Sequence, residues 1–314
     1  MSSRPHVSVV VPVHNGAATL DECLKGLLAQ DYPDLFEVLV VDNHSSDGSV
    51  AVAGRYPITL LAESDIRTSY AARNRGIAHA GGDIVAFIDA DCVPARDWLR
   101  HLIAALDDES VAAAVGTVED APPASLCEEF TARVKPFARP ARGGLKTLLT
   151  GNVAVRRAAL DAVGFFDERL PTGGDVDFGW RLQKSGLMMI DAPEARVAHR
   201  HRSSFRQAFA QYRRYGLGTM LLATLHRGSE ECPSVALQLR MMLSQIRAMT
   251  TYVLSFGLRC CVSVFRGFDR RNLLWPVFLF AIESGNLLGK VEGLMLTRGC
   301  RRNPFPNPRL GRSA

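Results

Sequence analysis

The sequence predicts a doubly wound α/β fold followed by an amphipathic helical region. The first observation is that short aliphatic, β-branched runs alternate with segments whose apolar residues recur at helical spacing, over roughly the first 94 residues. The second is that long apolar, amphipathic stretches occupy the last third of the chain. Strands and helices that alternate in this order build a sheet with helices on both faces.

Four strands and three helices are predicted before residue 95. Val7–Val11 is an uninterrupted β-branched run, typical of a central parallel strand covered on both faces. The other strands are predicted at 36–41, 58–62 and 84–88, and the helices around 20–28, after the polar turn 42–49, and at 69–80. Further on, strand-like runs at 111–118 and 148–155 and a short helix at 158–163 are predicted, with a proline-rich, basic segment at 121–144.

Charge is distributed unevenly along the 314 residues. Residues 1–191 hold 18 Lys and Arg against 26 Asp and Glu, a net charge of −8, whereas residues 192–314 hold 19 against 6, a net charge of +13. The two sum to the +5 of the whole chain. The basic second part can therefore face nucleic acid, an anionic lipid surface or a phosphorylated substrate.

Cysteine usage and missing motifs exclude several classes of protein. The seven cysteines are odd in number and lack C-x-x-C spacing, which predicts reduced thiols in the cytoplasm and no structural zinc. The N-terminal apolar run is short and contains Pro12, so no secretory signal is predicted. Neither Gly-x-Gly-x-x-Gly after the first strand nor Gly-x-x-x-x-Gly-Lys occurs, which argues against a nicotinamide dehydrogenase and a P-loop enzyme.

Asp89 and Asp91 stand where the strand 84–88 leaves the sheet. Because side chains alternate along an extended chain, both carboxylates point to the same side and can share one hard cation. In the crevice where open α/β sheets bind ligands, this pair suits Mg²⁺ or Mn²⁺ carrying a diphosphate. The alternative is that both are ordinary loop residues, with an aspartate capping a helix that begins near Pro94.

Asp175 follows the flexible Gly173-Gly174 turn, near the start of a predicted helix. A carboxylate at this position can cap the helix by accepting backbone N–H bonds. It can equally face a cleft and act as a general base. Local sequence leaves both interpretations open.

His199 and His201 lie in an arginine-flanked segment at the start of the basic region. They could contact a metal or a diphosphate, or they could belong to a solvated basic face.

Two long amphipathic segments, 233–264 and 272–296, are predicted helices. A membrane-spanning helix needs about 20 largely apolar residues, and Arg259 and Glu283 interrupt the apolar runs. The composition favours helices that lie in a membrane interface. Basic residues near their ends would add a second attachment signal: Arg266, Arg270, Arg271, Arg298, Arg301 and Arg302. The alternative is a helical subdomain that packs on the first domain or on a second copy of the chain.

Four motifs occur in a fixed order: VSVVVPVHN, VVDNHSSDGS, ARNRGIAHAGGDIVAFIDADCVP and GGDVDFGWRLQKSG. Together they resemble glycosyltransferase family two, the inverting nucleotide-sugar enzymes with the GT-A fold, a Rossmann-like mixed sheet flanked by helices. The resemblance covers residues 6 to about 220. It implies a catalytic domain at 1–220, with a nucleotide-binding half at about 1–118 and an acceptor half at about 119–220, before a helical, basic region at 221–314.

The resemblance implies a donor site built from the strand ends. The first-strand loop that lies against the nucleotide is matched by Pro12, Val13 and Asn15. Two positions near the base or ribose are matched by Asp42 and Glu63; at the position of Glu63 the family more often has Asp. Arg73 matches the arginine near the donor phosphates. Asp89 and Asp91 match the family's Asp-x-Asp, with Asp91 as the direct metal ligand.

The resemblance also implies a base. Asp175 matches the second acid of the family's Glu-Asp pair, while Gly174 replaces the glutamate. The segment 211–215, QYRRY, resembles the Gln-x-x-Arg-Trp motif of processive synthases with Tyr for Trp, yet no channel-forming helices are predicted, so single transfers are expected. His199, Gln211 and Arg214 are candidate contacts for the diphosphate or the acceptor.

The resemblance therefore implies a metal-dependent, inverting hexosyltransferase, and the Asp89 and Asp91 pair suits Mg²⁺ or Mn²⁺. Asp42 and Glu63 weakly favour UDP in the donor. The predicted acceptor is a glycan or glycolipid of envelope polysaccharide assembly, met by a cytoplasmic enzyme held peripherally at the inner face of the cell membrane.

Two other functions remain open from sequence. A noncatalytic nucleotide-sugar-binding protein is favoured only by Gly174, and a nucleotidyltransferase would need a glycine-rich, basic phosphate loop after the first strand, which is missing. Nucleic-acid binding is not expected, because the basic residues fall among apolar helices without the aromatic-rich strands of single-strand binders.

Overall fold

A computed structural model describes residues 7–137, 144–227, 234–266 and 269–297. The strands are β1 Val7–Val13, β2 Phe36–Asp42, β3 Thr59–Ala62, β4 Ile84–Ile88, β5 Cys92–Pro94, β6 Val111–Asp120, β7 Asn152–Arg156 and β8 Met188–His199. The helices are α1 Ala17–Leu28, α2 Ser49–Ala53, α3 Ser69–His79, α4 Trp98–Ala104, α5 Leu126–Arg133, α6 Arg157–Val163, α7 Gly174–Lys184, α8 Phe205–Leu225, α9 Val235–Arg266 and α10 Arg270–Thr297.

One sheet of eight strands runs through the molecule in the order β3-β2-β1-β4-β7-β6-β8-β5. The first four strands are parallel, whereas β7 is antiparallel to both of its neighbours and β5 is antiparallel to β8. The strand order reverses at β1, because β2 lies on one side of it and β4 on the other. A crevice therefore opens beyond the carboxyl ends of β1 and β4, which is where such sheets bind ligands.

The sheet separates two apolar layers. Along β1, Val9 and Val11 face the layer formed with α1 and α4, whereas Val10 faces the layer formed with α3, α7 and α8. This alternation explains why the strand is apolar throughout, since both of its faces are buried. The predicted doubly wound, mixed sheet flanked by helices is confirmed.

The structure differs from the sequence-based description in three places. The helix expected near Pro94 begins at Trp98, because 92–94 pairs with β8 as the short strand β5. The segment 121–144 contains α5. The start of this helix has reciprocal hydrogen bonds like those of a capping box, because Ser125 Oγ accepts the N–H of Glu128 and Glu128 Oε2 accepts the N–H of Ala124. The long strand β8 was not predicted.

The C-terminal helices pack on the sheet domain through α8. Gly289 of α10 lies so close to α8 that a Cβ there would collide with the backbone of Arg213, and Gly285 contacts Phe209 in the same way. An ion pair between Arg213 and Glu292 joins the same two helices. The division predicted at residue 220 falls inside α8, which continues to Leu225, and the division into domains stays a prediction.

Helix α9 lies against α10 through a polar contact. Gln245 Nε2 donates to Glu283 and Asn286, and Lys290 Nζ donates to Gln245 Oε1 at 2.7 Å. Within the described ranges, no helix is both long enough and apolar enough to cross a membrane. The predicted arginines 298, 301 and 302 lie outside those ranges.

Candidate active site

A cleft of about 1040 Å³ opens at the carboxyl ends of β1 and β4. The loop after β1, the start of α3, the segment after β4, the Gly173 turn, the end of β8 and one face of α8 line it. Most of the predicted site residues meet there: Pro12, Val13, Asn15, Arg73, Asp89, Asp91, Asp175, His199, Gln211 and Arg214.

Arg73 is a buried cation that faces this cleft. Its Nη2 donates to Asp89 Oδ1 at 2.5 Å, and its guanidinium lies 5.5 Å from the centre of the Tyr70 ring. Only 3% of Arg73 is exposed, and its Nε and Nη1 have no partner among the described residues. Buried donors without partners are costly, so this guanidinium is arranged for an anion that completes its hydrogen bonds.

Asp91 meets the end of β8. The pairing of Cys92 with His199 in the β5–β8 ladder brings His199 Nε2 to 3.4 Å from Asp91 Oδ1, and Arg202 Nη1 lies 3.3 Å from Oδ2. Burial lowers the pKa of His199, so its imidazole is neutral near pH 7. A neutral imidazole nitrogen facing a carboxylate is a suitable pair of ligands for a shared cation.

Asp91, Cys92 and His199 place potential ligand atoms within 4.8 Å of one another. Burial raises the pKa of the Cys92 thiol well above its ordinary value, so the sulfur stays protonated. Mg²⁺ and Mn²⁺ prefer oxygen, and Mn²⁺ also accepts imidazole nitrogen. The donor set therefore fits a hard cation on Asp91 and His199, whereas Asp89 is engaged by Arg73, and the predicted sharing of one cation by Asp89 and Asp91 stays a prediction.

Asp175 occupies the first turn of α7. The cap position is Gly173, a left-handed residue with φ of 84° and no side-chain hydrogen bond, so Asp175 is not the cap residue. Its Oδ1 accepts from the Val176 N–H at 3.0 Å and from the Tyr70 hydroxyl at 3.1 Å. Burial raises the pKa of Asp175, although Arg73 opposes the shift. A half-buried carboxylate with a raised pKa is suited to accept a proton.

Tyr70 is a site residue that sequence reasoning missed. A Cβ on Gly174 would lie 2.9 Å from the Tyr70 ring, so the tyrosine fills the space next to the position where the family has glutamate. Burial raises the pKa of Tyr70 well above its ordinary value, so its hydroxyl remains a donor to Asp175. The available signal was the aromatic residue three positions before Arg73, on the same helix.

Asp42 and Glu63 do not line the cleft. The Glu63 carboxylate is buried and accepts the N–H groups of Asp65 and Ile66, so the structure gives it a role in holding the loop after β3. Asp42 Oδ2 accepts from Ser45, and its buried Oδ1 has no partner within the part of the chain that is described. Their predicted contacts with a base or ribose stay predictions.

Gln211 and Arg214 face the cleft from α8. Gln211 Nε2 donates to the Tyr215 hydroxyl at 2.9 Å, and burial lowers the pKa of Arg214. Together with Arg202, Arg214 makes this wall basic. His201 is held by Asp120, whose Oδ1 lies 2.6 Å from His201 Nε2, and stacks with Phe137.

Comparison with known proteins identifies the family. The sequence model described as glycosyl transferase family 2 matches residues 8–148, and that of glycosyl transferase family group 2 matches residues 84–285. Glycosyltransferase AglE of Haloferax volcanii is 33% identical over 237 residues, which cover 72% of this chain and 77% of the relative. This chain belongs to glycosyltransferase family 2. The predicted family and its activity, sugar transfer from a nucleotide-sugar donor, are thereby confirmed.

One further sequence relative and one solved structure are also similar to this chain. The pre-mycofactocin glycosyltransferase of Mycobacterium tuberculosis is 32% identical over 235 residues, covering 71% of this chain but only 49% of that relative. The mannosyltransferase of Pyrobaculum calidifontis, solved with GDP-Man and Mn²⁺, superposes with a TM-score of 0.59 at 22% identity, covering 92% of this chain and 89% of that one. This second likeness confirms the GT-A fold.

Proposed function

We propose that this family 2 glycosyltransferase moves one sugar, with inversion and with a divalent cation, to a hydroxyl of a lipid-linked or envelope-polysaccharide acceptor at the inner face of a membrane. One observation carries the proposal. An anion site at Arg73, a cation site at Asp91 and His199, and a carboxylate with a raised pKa at Asp175 all line one cleft.

Arg73 binds the donor diphosphate. Asp89 holds one end of the guanidinium, and Nε and Nη1, which have no partner among the described residues, are the donors available to the phosphate oxygens. A hydrogen bond to a charged group contributes about 1.5–3 kcal/mol. The same charge stabilises the diphosphate more strongly as it leaves, because its negative charge then increases.

Asp91 and His199 would hold Mn²⁺ or Mg²⁺, and the ion would supply positive charge next to the donor diphosphate. The neutral state of His199 leaves its nitrogen free to bind a metal. The Mn²⁺ bound together with GDP-Man in the Pyrobaculum mannosyltransferase supports the same class of cation here.

Asp175 acts as the general base. The acceptor oxygen attacks the anomeric carbon from the face opposite the diphosphate, and its proton passes to the Asp175 carboxylate. The new carbon–oxygen bond forms as the bond to the diphosphate oxygen breaks, and the nucleoside diphosphate leaves with the electron pair. A single displacement of this kind inverts the anomeric centre.

The nucleotide is the first property to test. A ligand that binds only the folded protein raises its melting temperature. We expect either UDP or GDP to raise the melting temperature in the presence of Mn²⁺, with UDP the sequence-based preference and GDP the nucleotide of the Pyrobaculum complex. Asp91→Ala should lose the Mn²⁺-dependent part of the shift. No shift with any nucleoside diphosphate would contradict the proposal.

Helix α9 supports attachment to an anionic membrane. Leu243, Leu254 and Leu258 are 60%, 69% and 67% exposed, and a rotation of about 100° per residue places them on one face. Arg240 and Arg247 lie on the same side, and the helix has no Asp or Glu. A face that carries both exposed leucines and arginines fits the interface of anionic lipid.

Vesicle flotation tests this attachment. We expect the protein to float with vesicles containing phosphatidylglycerol and much less with pure phosphatidylcholine. Leu254→Glu with Leu258→Glu should abolish flotation. Leu35→Glu, which changes a leucine of 62% exposure outside α9, is the matched control and should float normally. Equal flotation of both variants would contradict the role of α9.

A further inference from the structure

Trp180 of α7, Leu222 of α8 and Gln238 of α9 also line the cleft, and the Leu222 side chain lies against Gly173, two residues before Asp175. We call these three residues the far end of the cleft. The indole of Trp180 is 1% exposed, and so is Gln238. Neither Trp180 Nε1 nor Gln238 Oε1 has a hydrogen-bond partner in the described part of the chain. These are a buried donor and a buried acceptor in the wall of one cavity.

Burying these two polar groups without hydrogen bonds lowers the stability of the folded protein. Leaving a buried polar group without a partner costs about 1–3 kcal/mol, and native proteins contain few such groups. Helix α9 begins at this end, with Ser234 Oγ accepting the Leu237 N–H, so Gln238 lies in its first turn. The start of the helix that bears the exposed leucine face is therefore also a wall of the cleft.

We propose that Trp180 and Gln238 form an acceptor subsite that binds a non-reacting hydroxyl of a neutral sugar. A hydroxyl is both donor and acceptor, so it can accept from Trp180 Nε1 and donate to Gln238 Oε1. Such a hydroxyl satisfies both orphaned groups at once. This inference rests on the proposed role of Asp175 as the base.

The position along α7 fits one sugar ring. Trp180 is five residues after Asp175, which is a rise of about 7.5 Å along the helix axis and a rotation of about 140° around it. Val176 lies between them on the face that bears Trp180, since it is one turn earlier. A monosaccharide whose reacting hydroxyl meets Asp175 can thus place another hydroxyl between Trp180 and Gln238.

The polar groups of this end favour a neutral occupant over a phosphate. Five arginines line the cleft, and none of them comes from α7 or α9: Arg67, Arg73, Arg200, Arg202 and Arg214. Next to Trp180, His226 is hydrogen-bonded to Asp177 and meets the indole edge-on, with ring centres 5.1 Å apart. A phosphate would meet the lone pairs of Gln238 Oε1, whereas a neutral hydroxyl would not. The acceptor is accordingly a sugar already joined to its lipid or chain, and not a bare lipid phosphate.

Binding of octyl glycosides tests the subsite. The probes are octyl glucoside, galactoside, mannoside and N-acetylglucosaminide, each below its critical micelle concentration, and decyl phosphate is the anionic alternative. Each probe is titrated onto protein that is loaded with Mn²⁺ and with the nucleoside diphosphate that raises its melting temperature. We expect at least one glycoside to bind and Gln238→Leu to weaken it by about 3- to 10-fold, the effect of one hydrogen bond. Trp180→Phe, which keeps a ring and removes the N–H, should weaken it by a similar factor.

Stability separates a subsite from a structural role. Gln238→Leu removes an orphaned buried oxygen, so its melting temperature should not fall. Gln245→Leu is the matched control on the same helix: it breaks bonds to Glu283, Asn286 and Lys290, so it should melt earlier yet bind glycosides as the wild type does.

Three results would overturn the subsite. They are unchanged glycoside affinity in Gln238→Leu and Trp180→Phe, binding of decyl phosphate but of no glycoside, and binding of none of the probes by the wild type. Failure of the donor site is recognised separately, because then no nucleoside diphosphate shifts the wild type at all.

Discussion

The two ends of the cleft differ in charge and in how their polar groups are satisfied. At the donor end, charged groups hold one another: Arg73 with Asp89, and Asp91 with His199 and Arg202. At the acceptor end, the hydrogen-bond partners of Asp175 are the neutral Tyr70 hydroxyl and a backbone N–H, and burial outweighs the opposing effect of the Arg73 charge on its pKa. The difference teaches that binding a dianion and removing a proton need opposite surroundings, because the first is favoured by nearby cations and the second by partial desolvation.

The largest effect should come from removing the base. Asp175→Asn should lower turnover by about 10²–10⁴-fold, the usual contribution of a general base, and leave nucleoside diphosphate affinity within about twofold. Turnover is followed by release of the nucleoside diphosphate. Near-normal turnover would assign the base elsewhere.

The same substitution should change stability in a pH-dependent way. Since burial raises the pKa of Asp175, ionising it costs folding free energy, and this cost develops as pH rises from the unfolded value of about 3.9 through the folded pKa. Asp175→Asn removes the cost. Its melting temperature relative to wild type should therefore be higher at pH 7 than at pH 4, and an opposite trend would contradict the raised pKa.

Arg73→Gln should weaken nucleoside diphosphate binding at the donor end of the cleft. It removes a cation that lines the cleft and has two nitrogens without a partner among the described residues. Nucleoside diphosphate affinity should therefore fall by about 10- to 100-fold, which corresponds to one hydrogen bond to a charged group. Titration calorimetry measures the loss. Arg75→Gln on the same helix is the control; Arg75 does not line the cleft and its replacement should leave affinity unchanged.

A smaller effect is expected at Tyr70. The hydrogen bond from Tyr70 lowers the pKa of Asp175, so Tyr70→Phe should raise that pKa further and move the acidic limb of the pH–rate profile to higher pH. The phenyl ring should keep the stacking on Phe166, whose centre lies 5.7 Å away. Lower turnover with an unmoved limb would show that Tyr70 acts only on packing.

The smallest effect on ligand binding should come from Glu63. Glu63→Ala leaves the N–H groups of Asp65 and Ile66 without a partner, so it should lower the free energy of unfolding by about 1–3 kcal/mol while nucleoside diphosphate affinity changes less than about twofold. Denaturant unfolding and calorimetry measure the two. A large loss of affinity with normal stability would favour the base contact implied by the resemblance.

The sequence was enough to predict the part of the site at the ends of β1 and β4, because the apolar runs show where these strands end. The apolar runs that end at Val13 and Ile88 place Asn15, Asp89 and Asp91 at one edge of the sheet, and local periodicity is enough to find them.

Contacts between segments that are far apart in the chain could not be predicted from local sequence patterns. His199 reaches Asp91 only through the pairing of β5 with β8, and β8 lacks a regular alternation because its residues lie partly at the surface. Tyr70 reaches Asp175 only because Gly174 leaves room for its ring. Gln238 reaches the cleft only through the way α9 begins.

The most direct test compares nucleoside diphosphate binding in Asp91→Ala and Asp175→Asn by titration calorimetry with Mn²⁺. A division of the cleft into a donor end and an acceptor end predicts that Asp91→Ala loses the Mn²⁺-dependent affinity, whereas Asp175→Asn binds as the wild type does and fails only in turnover. Equal loss of affinity in both variants, or loss in Asp175→Asn alone, would contradict this division.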